Sequence, residues 1–196
     1  REAFWVGLVL SLIGVGLAIV TDLLFGLVIF AGLFIDVVIY TIWLKRRTPW
    51  AIVFGGISGG MPILAGRVLG LGSFDWIGIL LSLGILLWIP THILTFSMRY
   101  FDDYNAAKIP TFPSAFGFKI TRIIIAISSV LAALAMGTAA LGIGMAWGFL
   151  RLLAVLSSGL VLMAVTMIFR PSERVNFGLF KYASVYMLSS MFLMVV

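Results

Sequence analysis

Cysteine is absent from this chain, and histidine occurs once, as His92. The first absence excludes disulfides, thiolate metal sites and a cysteine nucleophile, and it removes the usual clue to redox compartment. A single histidine excludes the paired-histidine zinc motif on a helix. Charge is scarce, at 10% of residues. No stretch is polar enough to be a linker. Heptads, low-complexity tracts, internal repeats, a P-loop and a serine-nucleophile elbow are all missing. The glycine cluster at 55–60 follows no strand, so it is not a dinucleotide fingerprint.

Hydrocarbon is abundant. Hydrophobic residues make up 63% of the 196, and mean hydropathy is +1.23. A soluble domain is about 45–50% apolar, and a globule of this size leaves much of its surface in water. Lipid is therefore the expected solvent. The net charge of +6 sits in short clusters between apolar runs, which is how a membrane protein orients itself. It does not point to nucleic acid. The first apolar run lacks the flanks of a signal peptide. The expected fold is all-α: one polytopic transmembrane helical bundle, residues 1–196, in a single domain.

A spanning helix needs about 20 mostly apolar residues. The sequence predicts seven, over 4–20, 23–44, 50–69, 74–97, 120–141, 145–169 and from about 177 to the C-terminus. Thr21 and Asp22 form a tight turn, and Pro49 suits the first turn of the third helix. Residues 99–119 read as a polar loop. Alternating spans put Arg1, Lys45, Arg46, Arg47, Arg99, Lys108, Lys119, Arg122, Arg170, Arg174 and Lys181 on one side. Only Arg67 and Arg151 fall on the other. That bias predicts that the first side is cytoplasmic.

Chemistry gathers on the basic side. Asp102 and Asp103 are adjacent carboxylates in a cationic loop. They are either helix-capping acids in a solvated loop or ligands to a divalent cation. Magnesium suits the second reading, since it takes one or two carboxylates and fills its shell with water and phosphate oxygens. If the fourth helix runs on through this loop, His92, Arg99 and Asp103 stand at i, i+7 and i+11. They then share a stripe within about 20 degrees. His92 is either a satisfied interhelical hydrogen-bonding group or a cavity-lining one. Lys45, Arg46 and Arg47 open the third helix. They either hold the loop at the lipid headgroups or clamp an anion, helped by free amides at the helix start.

Within the third helix, Gly55/Gly59 and Gly56/Gly60 are small-xxx-small pairs that permit close helix approach. Pro62 and Pro90 predict kinks. Asp36 lies mid-span with Tyr40 one turn on. A buried charge there pairs within the bundle or lines a cavity. Arg151 is expected to snorkel.

Several segments together resemble the UbiA-type intramembrane prenyltransferases, closest to the branch that farnesylates protohaem. They are Tyr40 to Pro49 (YTIWLKRRTP) followed by IVFGG, Leu87 to His92 (LWIPTH), Asp102 to Pro113 (DDYNAAKIPTFP), and FKYAS at 180–184 with Tyr186. Lys108 stands where that family commonly has glycine or asparagine. The resemblance implies nine helices around a lipid-open cavity, with this chain beginning at the third. It also implies magnesium held by two acidic motifs on a polyprenyl diphosphate, the first motif lying upstream of Arg1. Carried over, Asp102 and Asp103 supply the second motif. Lys45, Arg46 and Arg99 are diphosphate ligands, and His92 and Tyr104 line the reacting end.

The implied reaction is prenyl transfer to a hydrophobic acceptor at the bilayer. Cations neutralise the departing diphosphate, and aromatic faces such as Tyr104, Trp88 or Phe96 stabilise the allylic cation. Protohaem is the leading acceptor. A quinone precursor, a chlorophyll-like ring and an archaeal glyceryl phosphate lipid are the alternatives. Outside the family, a transporter that uses Asp36, His92 and Arg67 as an ion path and a non-catalytic scaffold are the competing classes.

Overall fold

The computed structural model describes residues 2–195; Arg1, counted above among the basic residues, lies outside them. Among the described residues there is no strand, and seven helices are long and apolar enough to cross a membrane. In chain order they are α1 (Glu2–Thr21), α2 (Leu23–Phe34) with its continuation as a π-helix (Ile35–Leu44), and α3 (Ala51–Leu71). Next come α4 (Trp76–Arg99), a short α5 (Phe101–Ala106), α6 (Phe112–Gly142), α7 (Trp147–Phe169) and α8 (Glu173–Val195). The protein is an integral, multi-pass membrane protein.

The α1–α2 turn forms because Asp22 has extended backbone and its carboxylate accepts from the Phe25 amide at 2.8 Å. That caps α2. Gly26 then lets the two helices touch: a Cβ there would lie 2.6 Å from the Ile19 backbone. Helix α1 is apolar all round, buries only Ala18 and rests on α2. Such a helix is stable only in lipid.

Helix α4 is the centre of the bundle and packs on α3, α6 and α8. The small-residue face of α3 does what its spacing predicts. A Cβ on Gly60 would come within 2.7 Å of the Ser82 carbonyl oxygen, and one on Gly59 within 3.0 Å of Ile89. Polar groups tie α4 to its other neighbours. Thr91 and Ser129 share a 2.8 Å hydrogen bond, Trp88 Nε1 donates to the Ala183 carbonyl at 2.8 Å, and Asn176 Nδ2 donates to the Thr95 carbonyl at 2.8 Å. Lipid gives no hydrophobic drive for helix association, so packing and such bonds supply it. The core between α4, α6, α7 and α8 contains Ile125, Leu160, Leu179 and Tyr186, all fully buried. Pro62 and Pro90 lie inside α3 and α4, and both helices run on past them.

At the end away from the basic loops, Arg67 forks onto Asp75, with Nη2 at 2.8 Å and Nε at 3.2 Å. Asp75 also caps α4 by accepting from the Gly78 amide at 3.0 Å. The Arg67 guanidinium, aided by that amide, holds the Asp75 carboxyl below the usual carboxylate range.

The loop predicted over 99–119 holds more structure than its polarity suggests. Helix α4 ends at Arg99, where Tyr100 leaves helical geometry (φ −104, ψ 35) and α5 begins on a new axis. The continuous helix that would align Asp103 with His92 is therefore not formed. A capping box between Thr111 and Ser114 starts α6 eight residues before the predicted 120. The sixth helical element is broken at Gly117 (φ 78, ψ 163) into a short arm, 112–116, and the long span beyond. The third span starts at Ala51 with Trp50 as its cap, so Pro49 precedes the helix instead of entering its first turn.

Candidate functional site

A cavity of about 460 Å³ opens at the basic end, between the π-helical segment, the start of α3, the middle of α4 and the α5–α6 connection. Asp36, Tyr40 and Lys45 line it from one side, and His92 with Trp88 from α4. Tyr104 and the 109–112 segment line it from the third side. Sequence elements far apart in the chain thus converge on one space.

The π-helix explains one wall. Its wider turn closes with i→i+5 bonds such as Lys45 N to Tyr40 O at 2.8 Å. Such widenings are rare and frequent at functional sites. Here the segment presents Asp36, Tyr40 and Lys45 to the cavity. Asp36 lies 3.2 Å from the Ser58 hydroxyl, whose one proton it shares with the Gly55 carbonyl at 3.0 Å; this contact joins the mid-span acid to α3 while leaving it at the cavity wall. Both sequence alternatives for Asp36 therefore hold at once.

Lys45 is half-buried, lines the cavity and has its ammonium 5.5 Å from the Tyr40 ring. Arg46 is exposed and outside the cavity lining. Tyr104 lines the same cavity as Lys45, so α5 and the 45–50 turn share one end of the bundle. Asp102 and Asp103 occupy the first turn of α5, one and two residues before Tyr104. Both are exposed, and among the described residues neither takes part in an ion pair. No cluster of three or more metal-type ligands exists among the described residues. Neither Asp102 nor Asp103 is among the residues that line the cavity; two adjacent exposed carboxylates suit a hard cation that also binds phosphate oxygens. They do not form an all-protein cage.

Arg99 goes elsewhere. Its guanidinium lies 3.4 Å from the Glu173 carboxylate and 3.9 Å from the centre of the Phe177 ring. It lines two surface depressions beside α8 and not the cavity that holds Lys45 and His92.

His92 lies between two aromatic rings, Trp88 at 4.8 Å and Phe180 at 4.5 Å, each within 21° of parallel. Its Nδ1 is 3.2 Å from the Ser184 hydroxyl. Ser184 and Phe180 are contacts that residue-level reading did not assign. Their spacing places them on one face of α8, but nothing in the sequence says which helix that face meets. The aromatic staple of Trp50 with Phe112 (5.0 Å) and Phe116 (6.1 Å) was likewise unassigned. It fastens the start of α3 to the short arm of α6 over the rim.

Comparison with known proteins identifies the family. The model of the UbiA prenyltransferase family matches residues 1–188. A protoheme IX farnesyltransferase of Korarchaeum cryptofilum is 40% identical over 130 residues, which is 66% of this chain and 44% of the relative. One from Archaeoglobus fulgidus is 46% identical over 113 residues, 58% of this chain and 40% of the relative. Protoheme IX farnesyltransferase 1 of Picrophilus torridus is 33% identical over 198 residues, 100% of this chain and 66% of the relative. The chain thus spans from 40% to 66% of the length of these relatives. No solved structure matches it. With seven spans, a cavity at the basic end and a family match over nearly its whole length, the chain belongs to the UbiA prenyltransferase family.

Proposed function

We propose that the protein transfers a prenyl group from a polyprenyl diphosphate to protohaem, with magnesium bound at Asp102 and Asp103 and the basic loops in the cytoplasm. The observation that carries this reading is the convergence of Lys45, Tyr104 and His92 on one cavity, with Asp102 and Asp103 in the same short helix as Tyr104. The relatives' names supply the acceptor.

Each residue has a distinct task. Lys45 offers a cation to diphosphate oxygens at the mouth, and Arg46 adds field from outside it. Magnesium, when bound, supplies charge neutralisation at the leaving group. The carbon–oxygen bond to diphosphate breaks with its electron pair on oxygen, leaving an allylic cation. The faces of Tyr104 and Trp88 stabilise that cation, and the apolar walls keep water from capturing it. A nucleophilic carbon of the acceptor then forms the new carbon–carbon bond, and the positive charge this moves onto the acceptor is discharged by loss of a proton or by addition of water with release of a proton. Arg99, paired with Glu173, contributes less than Lys45 on this reading.

The test is turnover of labelled prenyl diphosphate by the intact protein with protohaem and magnesium. Asp103→Ala should lower the rate by about a hundredfold or more, the scale for losing one transition-state electrostatic contact. Undiminished turnover would remove Asp103 from the site. Transfer to a quinone precursor, a chlorophyll-like ring or a glyceryl phosphate in place of protohaem would reassign the acceptor while keeping the chemistry.

A further inference from the structure

The arrangement around His92 carries more information than its place in the cavity wall. Ser184 has one hydroxyl proton. Its oxygen lies 3.0 Å from the Phe180 carbonyl, which has no proton to give, so the hydroxyl donates there. With that proton on Phe180, the contact between Ser184 and His92 Nδ1 at 3.2 Å is a hydrogen bond only in the tautomer whose Nδ1–H donates to the hydroxyl oxygen. That leaves Nε2 with a lone pair. Nε2 has no partner among the described residues and is not sealed from solvent. His92 lines the cavity, whereas Ser184 and Phe180 do not. The ring therefore spans from α8 to the open space. Stacking on Trp88 and Phe180 fixes its plane. Among the described residues no carboxylate is hydrogen-bonded or ion-paired to the imidazole.

A neutral imidazole with one nitrogen tied to an oxygen and the other bare is the form that binds metals. We propose that His92 Nε2 coordinates the iron of the protohaem acceptor, and that Ser184 is a positioning residue that holds the ring in the Nδ1–H tautomer for that bond. The inference rests on the acceptor assignment above and deepens it. It gives the cavity a means of choosing a metallated porphyrin over a metal-free one, and of holding the ring in a fixed place beside the cation.

Protohaem binding to the purified intact protein, followed by its absorption spectrum, is the test. The wild type should give an imidazole-ligated spectrum. His92→Ala should lose it, and added imidazole should restore it. Ser184→Ala should weaken haem binding about tenfold or more, the usual scale for losing an outer-shell partner of a ligand histidine, while Ser184→Thr should retain it. Metal-free protoporphyrin should bind wild type and His92→Ala equally. An unchanged haem spectrum in His92→Ala overturns the ligation but leaves the acceptor assignment standing. Absence of haem binding by a wild-type protein that turns over another acceptor overturns both. A readout independent of haem covers poor folding of the alanine variant. With nitrogen-15-labelled histidine, and His92→Gln to identify the signal, Nδ1 should carry the proton in wild type. A proton on Nε2 overturns the role of Ser184.

Discussion

At the scale of single residues, backbone geometry explains one oddity of the sequence. Lys108 follows α5 with φ 54, in the left-handed region. Glycine and asparagine are the usual residues at such a helix end, and these are the residues that the family resemblance leads one to expect at this position. Lys108 is exposed, so its side chain offers little to offset the strain. Lys108→Gly should raise stability by up to about 1 kcal/mol, seen as a higher melting temperature in detergent. A lower one would mean that the ammonium makes a contact worth more than the strain.

At the scale of elements, polarity and periodicity locate the spans but miss what joins them. The apolar runs are long, so the seven crossings are legible in the sequence. The turn at Asp22 is legible too, whereas Asp75, placed inside the predicted fourth helix, is in fact its cap. Three further features were not legible. The π-helical turn over Ile35–Leu44 leaves the same hydrophobic pattern as an α-helix. The 112–116 arm is too short to show periodicity. The pairing of Arg99 with Glu173 joins residues 74 positions apart and depends on how α8 docks. The candidate site divides in the same way: the residue types are visible locally, but which of them share a cavity is a tertiary fact.

The hairpin between α3 and α4 gives an element-scale prediction. Its carboxyl, Asp75, titrates lower in the folded protein than in the unfolded chain. The stabilisation is thus complete above the ordinary aspartate value of about 3.9. It is lost as pH falls through the lower folded value. Asp75→Asn should therefore melt below wild type by a constant margin from about pH 5 to 8, a margin that shrinks below about pH 4. Asp75→Ala loses the cap as well and should cost about 1 kcal/mol more. A margin that does not depend on pH would mean the ion pair contributes nothing.

For the whole molecule, the basic residues and the cavity share an end, and the Arg67–Asp75 clamp marks the opposite one. This gives a direct test of orientation, since a cysteine-free chain accepts single reporter thiols. Arg47→Cys should react with a membrane-impermeant maleimide only after cells are opened. Ser73→Cys, in the α3–α4 turn, should react in intact cells. The reverse pattern would place the cavity outside the cytoplasm and contradict the charge bias.

Gly117 sits in the break between the short arm of α6, whose Phe112 lines the cavity, and the long span beyond. Nothing lies within 4 Å of where its Cβ would be, and the same is true of Gly137 in the span beyond. Room is therefore not what separates the two. Gly117 alone has a backbone conformation (φ 78, ψ 163) essentially closed to other residues. In a library randomised at both positions and selected for growth on the enzyme's product, codon 137 should drift freely to alanine and serine. Codon 117 should return glycine alone.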